Sequence, residues 1–531
     1  MRTMTRTPIS TFRASSVRGL RGAVATADQL ATQAGIQMLA NGGNAVDAAI
    51  AANAAMAVVG PHLCGMGGDL MALVHTSSGV VALNASGRTG SGADPAALRA
   101  EGMTGMQFRH DIRTVTIPGC VDGWVALHAR FGSMPLGELL APAMALAERG
   151  FPVSPLLTGA LGELDAQARQ NLVALTGQDQ QRGSIMRRPG LARTIRAVAS
   201  DGRAGFYEGE FGLGLITLGN GLYSHGDLAT EQADWVTPLS TDAFGVELHT
   251  IPPNSQGYLT LGAARLATAF GLPDDPNDPK WAHRLIECAT AAGFDRPDAL
   301  HELADGSALL EAIDGRLGLL DSERASLRYS PGRGGDTTYL CTADDTGMAV
   351  SLIQSNAAGF GSWLAEPNTG INLHNRGLGF NLIPGHPAEF GPGQRPPHTL
   401  SPALATRGGQ LVSVFGTMGG DAQPQILLQI AARLFHHGQS PATAIHAARW
   451  ALDGPETGFD TWTAPQGPNL DVEGHAPDTW SIDLAARGHR VVTKPAYVSA
   501  FGHAHAIVVE SSGCFAGAAD PRTVVGTCAA L

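Results

Sequence analysis

Two consecutive threonines follow an acidic residue in GGDTTYLCTADDTGMAVSLIQ, residues 334–354, and the first of them is placed to act as a nucleophile. A small flexible pair, Gly334-Gly335, leads through Asp336 into Thr337. Tyr339, Leu340 and Cys341 then run to a turn at Asp344-Asp345-Thr346-Gly347, and Ala349, Val350, Leu352 and Ile353 continue apolar. That pattern predicts a hairpin buried on both faces, with Thr337 opening its first strand. A hydroxyl is a weak nucleophile at neutral pH and needs a base within hydrogen-bond reach. A chain-terminal threonine brings its own. If the Asp336–Thr337 bond is cut, the freed α-amino group, with a pKa of about 7.7–8 in free peptides, stands beside the Thr337 hydroxyl and is partly neutral near pH 7. The stretch reads either as a self-cleavage site that releases a threonine nucleophile or as the plain start of a buried hairpin.

A second chemical signal is VSVFGTMGGDAQPQILLQIAARLF, where a strand runs into Gly419-Gly420 and a helix starts near Gln425. A glycine pair there exposes backbone N–H groups. Two such donors can stabilise the oxyanion of an acyl-transfer transition state by about 3–4 kcal/mol each, although a glycine pair between strand and helix is also an ordinary tight turn. Arg88 lies just beyond the strand VVALNAS, where ligand groups gather, but an isolated arginine is more often a surface salt-bridge partner. His503 and His505 in GHAHAIVV share one face of a strand. With no carboxylate or cysteine at a telling spacing, they read as hydrogen-bonded core histidines rather than metal ligands. The glycine-rich loop in PHLCGMGGDLMALVH lacks both GxxxxGK and GxGxxG before a helix, which argues against a nucleotide site.

These residues need elements to position them. Apolar spacing predicts a helix from Asp28, its N-cap, to Ala40, stopped by Gly42-Gly43. Asn44 caps a second helix, VDAAIAANAAMAVV, which has no polar face and is expected to be packed all round. From about residue 125 to 330 the pattern is mostly helical, as in PLGELLAPAMALAERG and RPGLARTIRAVASDG, broken at TIPPNSQGYLTLGAARL; this part reads as scaffold. Residues 356–402 read as loop-rich.

Composition narrows the function classes. The chain has 531 residues, 44% of them hydrophobic and 15% charged, enough for a large core. A net charge of −12 without a basic run excludes nucleic acid and anionic membranes as expected partners and favours a small-molecule substrate. The N-terminal MRTMTRTPISTFRASSVRGLRG has no apolar core of a secretory signal, so a cytoplasmic location is expected. Cys64, Cys120, Cys288, Cys341, Cys514 and Cys528 lie far apart and are expected to be reduced.

GAVATADQLATQAGIQMLANGGNAVDAAIAA, TIPGCVDGW at 116–124, PPNSQGYLTL, DTTYLCTADDTGMAVSL, Met418-Gly419-Gly420 and the closing AADPR at 518–522 together resemble the γ-glutamyltransferase family, in that family's order over roughly residues 20–525. The resemblance implies an α+β fold, the four-layer αββα sandwich of the N-terminal nucleophile hydrolases, in which a proenzyme cuts itself before a threonine. Length alone suggests about three domains. The resemblance instead implies one intertwined domain built from residues 1–336 and 337–531, which stay associated after cleavage; homo-oligomerisation is left open. It assigns Thr337 as the nucleophile, Gly419 and Gly420 as oxyanion donors and Ser355 as a hydroxyl supporting the nucleophile. Arg88 is assigned to the substrate's α-carboxylate, with Asn375, Arg376, His398 and Thr399 in the substrate pocket. No metal or cofactor is needed.

Departures from the family pattern bear on specificity. The aspartate that holds the substrate's ammonium falls at Gly379, Arg376 replaces a usual glutamine, and His398-Thr399 replace a serine pair. The asparagine expected after Ser355 is displaced, with Ala357 at its place and Asn356 one residue early. The loop from Phe380 to Arg395 is short for a lid. The leading expectation is a self-processing γ-glutamyltransferase or hydrolase that cleaves γ-glutamyl amides such as glutathione and passes the acyl group to water or an amine. The alternatives are a glutaryl or cephalosporin acylase-like amidohydrolase, which the Asn-Arg-Gly sequence at 375–377 favours, and an unprocessed binding protein of the same fold.

Overall fold

Thr338–Asp344 and Ala349–Ser355 form the expected hairpin, and every residue of both strands is buried. The computed structural model describes residues 14–326, 337–453 and 468–531, so Asp336 and the proposed scissile bond lie outside the described residues. The hairpin is buried because it sits in the middle of a seven-stranded sheet. In order from one edge, the strands are Thr527–Ala530, Gly22–Thr26, Thr338–Asp344, Ala349–Ser355, Asp69–Thr76, Gly79–Ala85 and Asp234–Val236. Strands from before residue 327 thus flank the pair that follows Thr337 on both sides.

A second seven-stranded sheet runs Val17–Gly19, Phe515–Ala518, His505–Val509, Gln410–Gly416, Ala403–Arg407, Val246–Thr250 and Leu239–Ala243. The two sheets pack face to face. Side chains alternate along each strand, so every central strand feeds two cores. Tyr339, Cys341 and Ile353 meet Leu404, Val414 and Ile507 between the sheets. Leu340, Val350 and Leu352 point the other way, into the core under the helices Gln29–Ala40 and Ala45–Val59. On the far side, Tyr258–Phe270, Pro279–Gly293 and Gln423–Ala431 cover the second sheet. The result is the αββα sandwich that the family resemblance implies.

Local signals placed the helices well. Asp28 caps the first helix by accepting from Leu30 N–H. Asn44 and Asp47 form a reciprocal capping box, and all fifteen residues of Ala45–Val59 are buried. The expectation of a mostly helical stretch from 125 to 330 needs correction at 234–250, where three strands complete the two sheets. Ala243 pairs with Val246 across a two-residue turn whose members, Phe244 and Gly245, have φ of 53° and 77°. That is the left-handed geometry tight hairpins demand, but a phenylalanine in place of Asn or Asp hides the signal.

The closing AADPR motif builds a buried ionic network. The Asp520 carboxylate lies 2.7 Å from Arg449 Nη2 and 3.0 Å from Arg522 Nη1 and accepts from Ala504 N–H, while Arg522 also pairs with Glu473. All four side chains are at most 2% exposed. His503 and His505 sit beside this network. His503 Nε2 is 2.8 Å from Ser499 Oγ, and His505 stacks on Tyr339 with Nδ1 accepting from Asp520 N–H. Burial pushes both imidazoles down, to about 3 and about 4, so they are neutral packed groups at physiological pH. No described helix is long and apolar enough to cross a membrane.

Candidate active site

The register of the central hairpin brings two hydroxyls together. Thr338 pairs with Gln354, so the preceding Thr337 stands opposite Ser355 at the strand ends, and Thr337 Oγ1 lies 2.9 Å from Ser355 Oγ. Both are fully buried. Ser355 Oγ also accepts from Ala357 N–H at 2.8 Å and from Arg376 Nη2 at 3.2 Å, and Arg376 Nη1 donates to Thr399 Oγ1 at 3.0 Å. Arg376 heads the single helical turn Arg376–Gly379. Burial lowers its pKa to about 10, offset in part by Asp69, so it remains a cation at neutral pH. It touches the partner of Thr337 and, like Ala357, also faces a cavity of about 620 Å³.

Gly419 and Gly420 connect the strand Gln410–Gly416 to the helix Gln423–Ala431 with φ of 138° and 55°. Among the described residues neither N–H donates to a protein acceptor, which leaves both available to a ligand oxygen. Gln256 fixes this loop to the rest of the site: its Nε2 donates to Gly420 O at 2.9 Å and to Thr399 O at 3.1 Å. Thr399 in turn holds Arg376, so a continuous chain of hydrogen bonds runs from the glycine pair to Thr337. A methyl group at Gly419 would force a left-handed φ on an L residue and press within 3.3 Å of Ile426 Cδ1. If Gly419 N–H serves as an oxyanion donor, as the family resemblance implies, Gly419→Ala is expected to lower kcat by about 10²–10³ with a smaller change in KM, as steady-state kinetics would report.

The other anticipated residues take different places. Asn375 lines the cavity but spends its amide on loops, accepting from Ala358 N–H and donating to Phe108 O. Thr399 lines the cavity, whereas His398 lies behind it, fully buried, donating from Nε2 to Asp69 Oδ2 at 3.0 Å while Nδ1 accepts from Leu400 N–H. Burial and the Arg376 charge hold His398 down at about 3, hence neutral. Burial alone would raise Asp69, but His374, His398 and Arg376 together keep its carboxyl well below the usual range. Asn356 donates to Pro61 O, and Ala357, at φ 70°, faces the cavity in its place. The loop 380–395 makes a side wall: Phe380, Asn381, Ile383 and His386 line the cavity, and Phe380 packs edge-on against Phe390.

Arg88 is not brought to this cavity. Its guanidinium is 2.5 Å from Glu302 and 3.5 Å from Asp234 and donates to Gly393 O. Conversely, the residue reading passed over Asp69, Gln256, Arg296 and Asp421. Arg296 lines the cavity, and Asp421, directly after the glycine pair and 1% exposed, lies 3.6 Å from its Nη1. Only the position of Gln256 in the PPNSQG motif and of Asp421 beside Gly420 hinted at these roles.

Two packed sheets between helical layers, with a threonine at the head of a central strand, define the N-terminal nucleophile hydrolase class. Residues 31–530 match the family model described as Gamma-glutamyltranspeptidase, and the chain belongs to that family. It is 34% identical over 536 residues to an oxamate amidohydrolase proenzyme of Klebsiella pneumoniae, covering 96% of this chain and 98% of that one. It is 32% identical over 530 residues to the glutathione hydrolase-like YwrD proenzyme of Bacillus subtilis, again 96% and 98% of the two chains. Among solved structures, the cephalosporin acylase of Bacillus halodurans superposes with a TM-score of 0.88 at 32% identity, over 100% of this chain and 99% of that one.

Proposed function

We propose that the chain is a self-processing amidohydrolase in which Thr337, freed as an N-terminus, attacks amides of carboxylate-bearing acyl groups. Cleavage before Thr337 would leave its α-amino group as the base that takes the Oγ1 proton as the oxygen adds to the amide carbonyl. Gly419 and Gly420 N–H groups would receive the developing oxyanion, and Ser355 would orient the Thr337 hydroxyl. Collapse of the adduct passes the proton to the departing amine and leaves an acyl ester on Thr337, which water or an amine then cleaves. The two fragments would remain one intertwined unit, since the strands on either side of the cut interleave in one sheet.

The observation that carries this reading is the Thr337–Ser355–Arg376 hydrogen-bond chain ending at a cavity. The cavity also favours glutaryl-like acyl groups over γ-glutamyl ones. At Gly379 the family's ammonium-binding aspartate is absent, and a side chain there would run into Pro397 O, 2.3 Å from the first carbon. An ammonium beside Arg376 would meet a like charge and, with no carboxylate at position 379 to pair with it, would be penalised by several kcal/mol. The relatives named for glutathione, oxamate and cephalosporin share this fold, so it is the wall of the cavity that sets the acyl group.

The test compares glutaryl and γ-glutamyl p-nitroanilides on one preparation of the enzyme. The glutaryl compound is expected to have the higher kcat/KM by about 10-fold or more, the equivalent of roughly 1.4 kcal/mol of unfavourable ammonium burial. A preference for the γ-glutamyl anilide would return the assignment to a γ-glutamyltransferase.

A further inference from the structure

We propose that Arg296 and Arg376 together form the subsite for the carboxylate of the acyl group, with Arg296 deciding that an acyl group carrying a carboxylate and no ammonium is accepted. This rests on the reading of Thr337 as nucleophile given above. The two arginines are far apart in the chain but line the same cavity. Arg376 is fixed by Thr399 and Ser355 through its two terminal nitrogens, while its buried Nε has no hydrogen-bond partner. Arg296, at the start of the turn Arg296–Ala299, has an 11% exposed side chain and a buried Nε that likewise has none.

The charges are layered. Asp69 and Asp421 are fully buried and lie off the cavity surface, Asp69 held by His398 and Gly87 N–H and Asp421 reaching Arg296 at 3.6 Å. The guanidiniums stand in front of them, on the wall. The carboxylate-bearing residue lining the cavity is Asp298, which is exposed. A planar guanidinium presents parallel N–H donors that match a carboxylate, and two of them facing one space suit an anion and repel an ammonium. Arg296 and Arg376 are close enough for the charge of one to lower the pKa of the other, which a bound carboxylate would relieve. Arg88, by contrast, already has two carboxylate partners and lies elsewhere.

The experiment uses processed enzyme and three p-nitroanilides of one chain length: glutaryl, γ-glutamyl and uncharged pentanoyl. Arg296→Gln is expected to raise KM for the glutaryl anilide by roughly 10- to 100-fold more than it raises KM for the pentanoyl anilide, the loss of one charge-assisted contact. Arg296→Lys should recover part of the loss, and free glutarate should inhibit pentanoyl turnover by wild type but not by Arg296→Gln. An equal loss on glutaryl and pentanoyl anilides would reduce Arg296 to a structural role and overturn the proposal. Carboxylate discrimination lost in Arg88→Gln but kept in Arg296→Gln would overturn it too, as would an Asp421→Asn variant losing γ-glutamyl binding selectively. Wild type that acylates Thr337 with none of the three would sink the nucleophile assignment itself, whereas turnover without carboxylate discrimination would sink this proposal alone.

Discussion

Replacing Thr337 by alanine is expected to leave a single uncleaved chain with no measurable amide turnover. The substitution removes one buried oxygen and one methyl group at the head of a strand whose remaining residues are all buried, so the sheet stays intact and circular dichroism should match wild type. What would be lost is the atom proposed to attack. In hydroxyl-nucleophile enzymes, removing that atom costs on the order of 10⁶ in kcat. Self-cleavage should fail with it if the same oxygen attacks the preceding peptide bond. Thr337→Ser keeps the oxygen and is expected to retain cleavage, more slowly. Ser355→Ala should process and turn over at a reduced rate, since it removes an orienting partner and leaves the nucleophile. A denaturing gel and an anilide assay on the three variants check all of this.

Asp520→Asn is expected to cost about 3–5 kcal/mol of stability, because it strips the shared anion from two buried guanidiniums and leaves Arg449 without its acid. Glu473 still pairs with Arg522, so the damage should concentrate at Arg449. The effect depends on pH. Burial alone would raise the Asp520 carboxyl, but Arg449 and Arg522 outweigh it and hold the group well below its ordinary range. A carboxylate depressed in the folded state contributes stability in full above its unfolded pKa of about 3.9, and that contribution is lost as pH falls below this toward the native value. The urea midpoints of wild type and Asp520→Asn should therefore be far apart at pH 7 and closer together at pH 3, where part of the contribution is lost. Equal separation at both would show that the network stabilises by packing, not by charge.

How far the sequence could be read depended on range. The caps at Asp28 and Asn44 and the hairpin after Thr337 are local features, set by residues three or four apart or by strand alternation, and they were legible. The turn at Phe244-Gly245 was not, because its left-handed residue is one that propensity disfavours there. In the site, Ser355 was matched to Thr337 through the family resemblance, and the hairpin register places the two opposite each other. Arg88 was assigned to the substrate carboxylate by the family resemblance, while its own residue context read as a surface salt-bridge partner, and it pairs with Glu302, 214 residues on in the chain. Arg296 sits in a stretch that read as scaffold, yet it lines the cavity from the short turn that follows the helix Pro279–Gly293. Electrostatic partners so far apart leave no periodic trace.

Intact-mass analysis of the purified protein after brief exposure to a slowly deacylated glutaryl amide tests the central claim most directly. Two fragments are expected, the smaller being residues 337–531, 195 residues long, with the mass of one acyl group added at Thr337. A single unbroken chain that turns over the amide without such an adduct would contradict it.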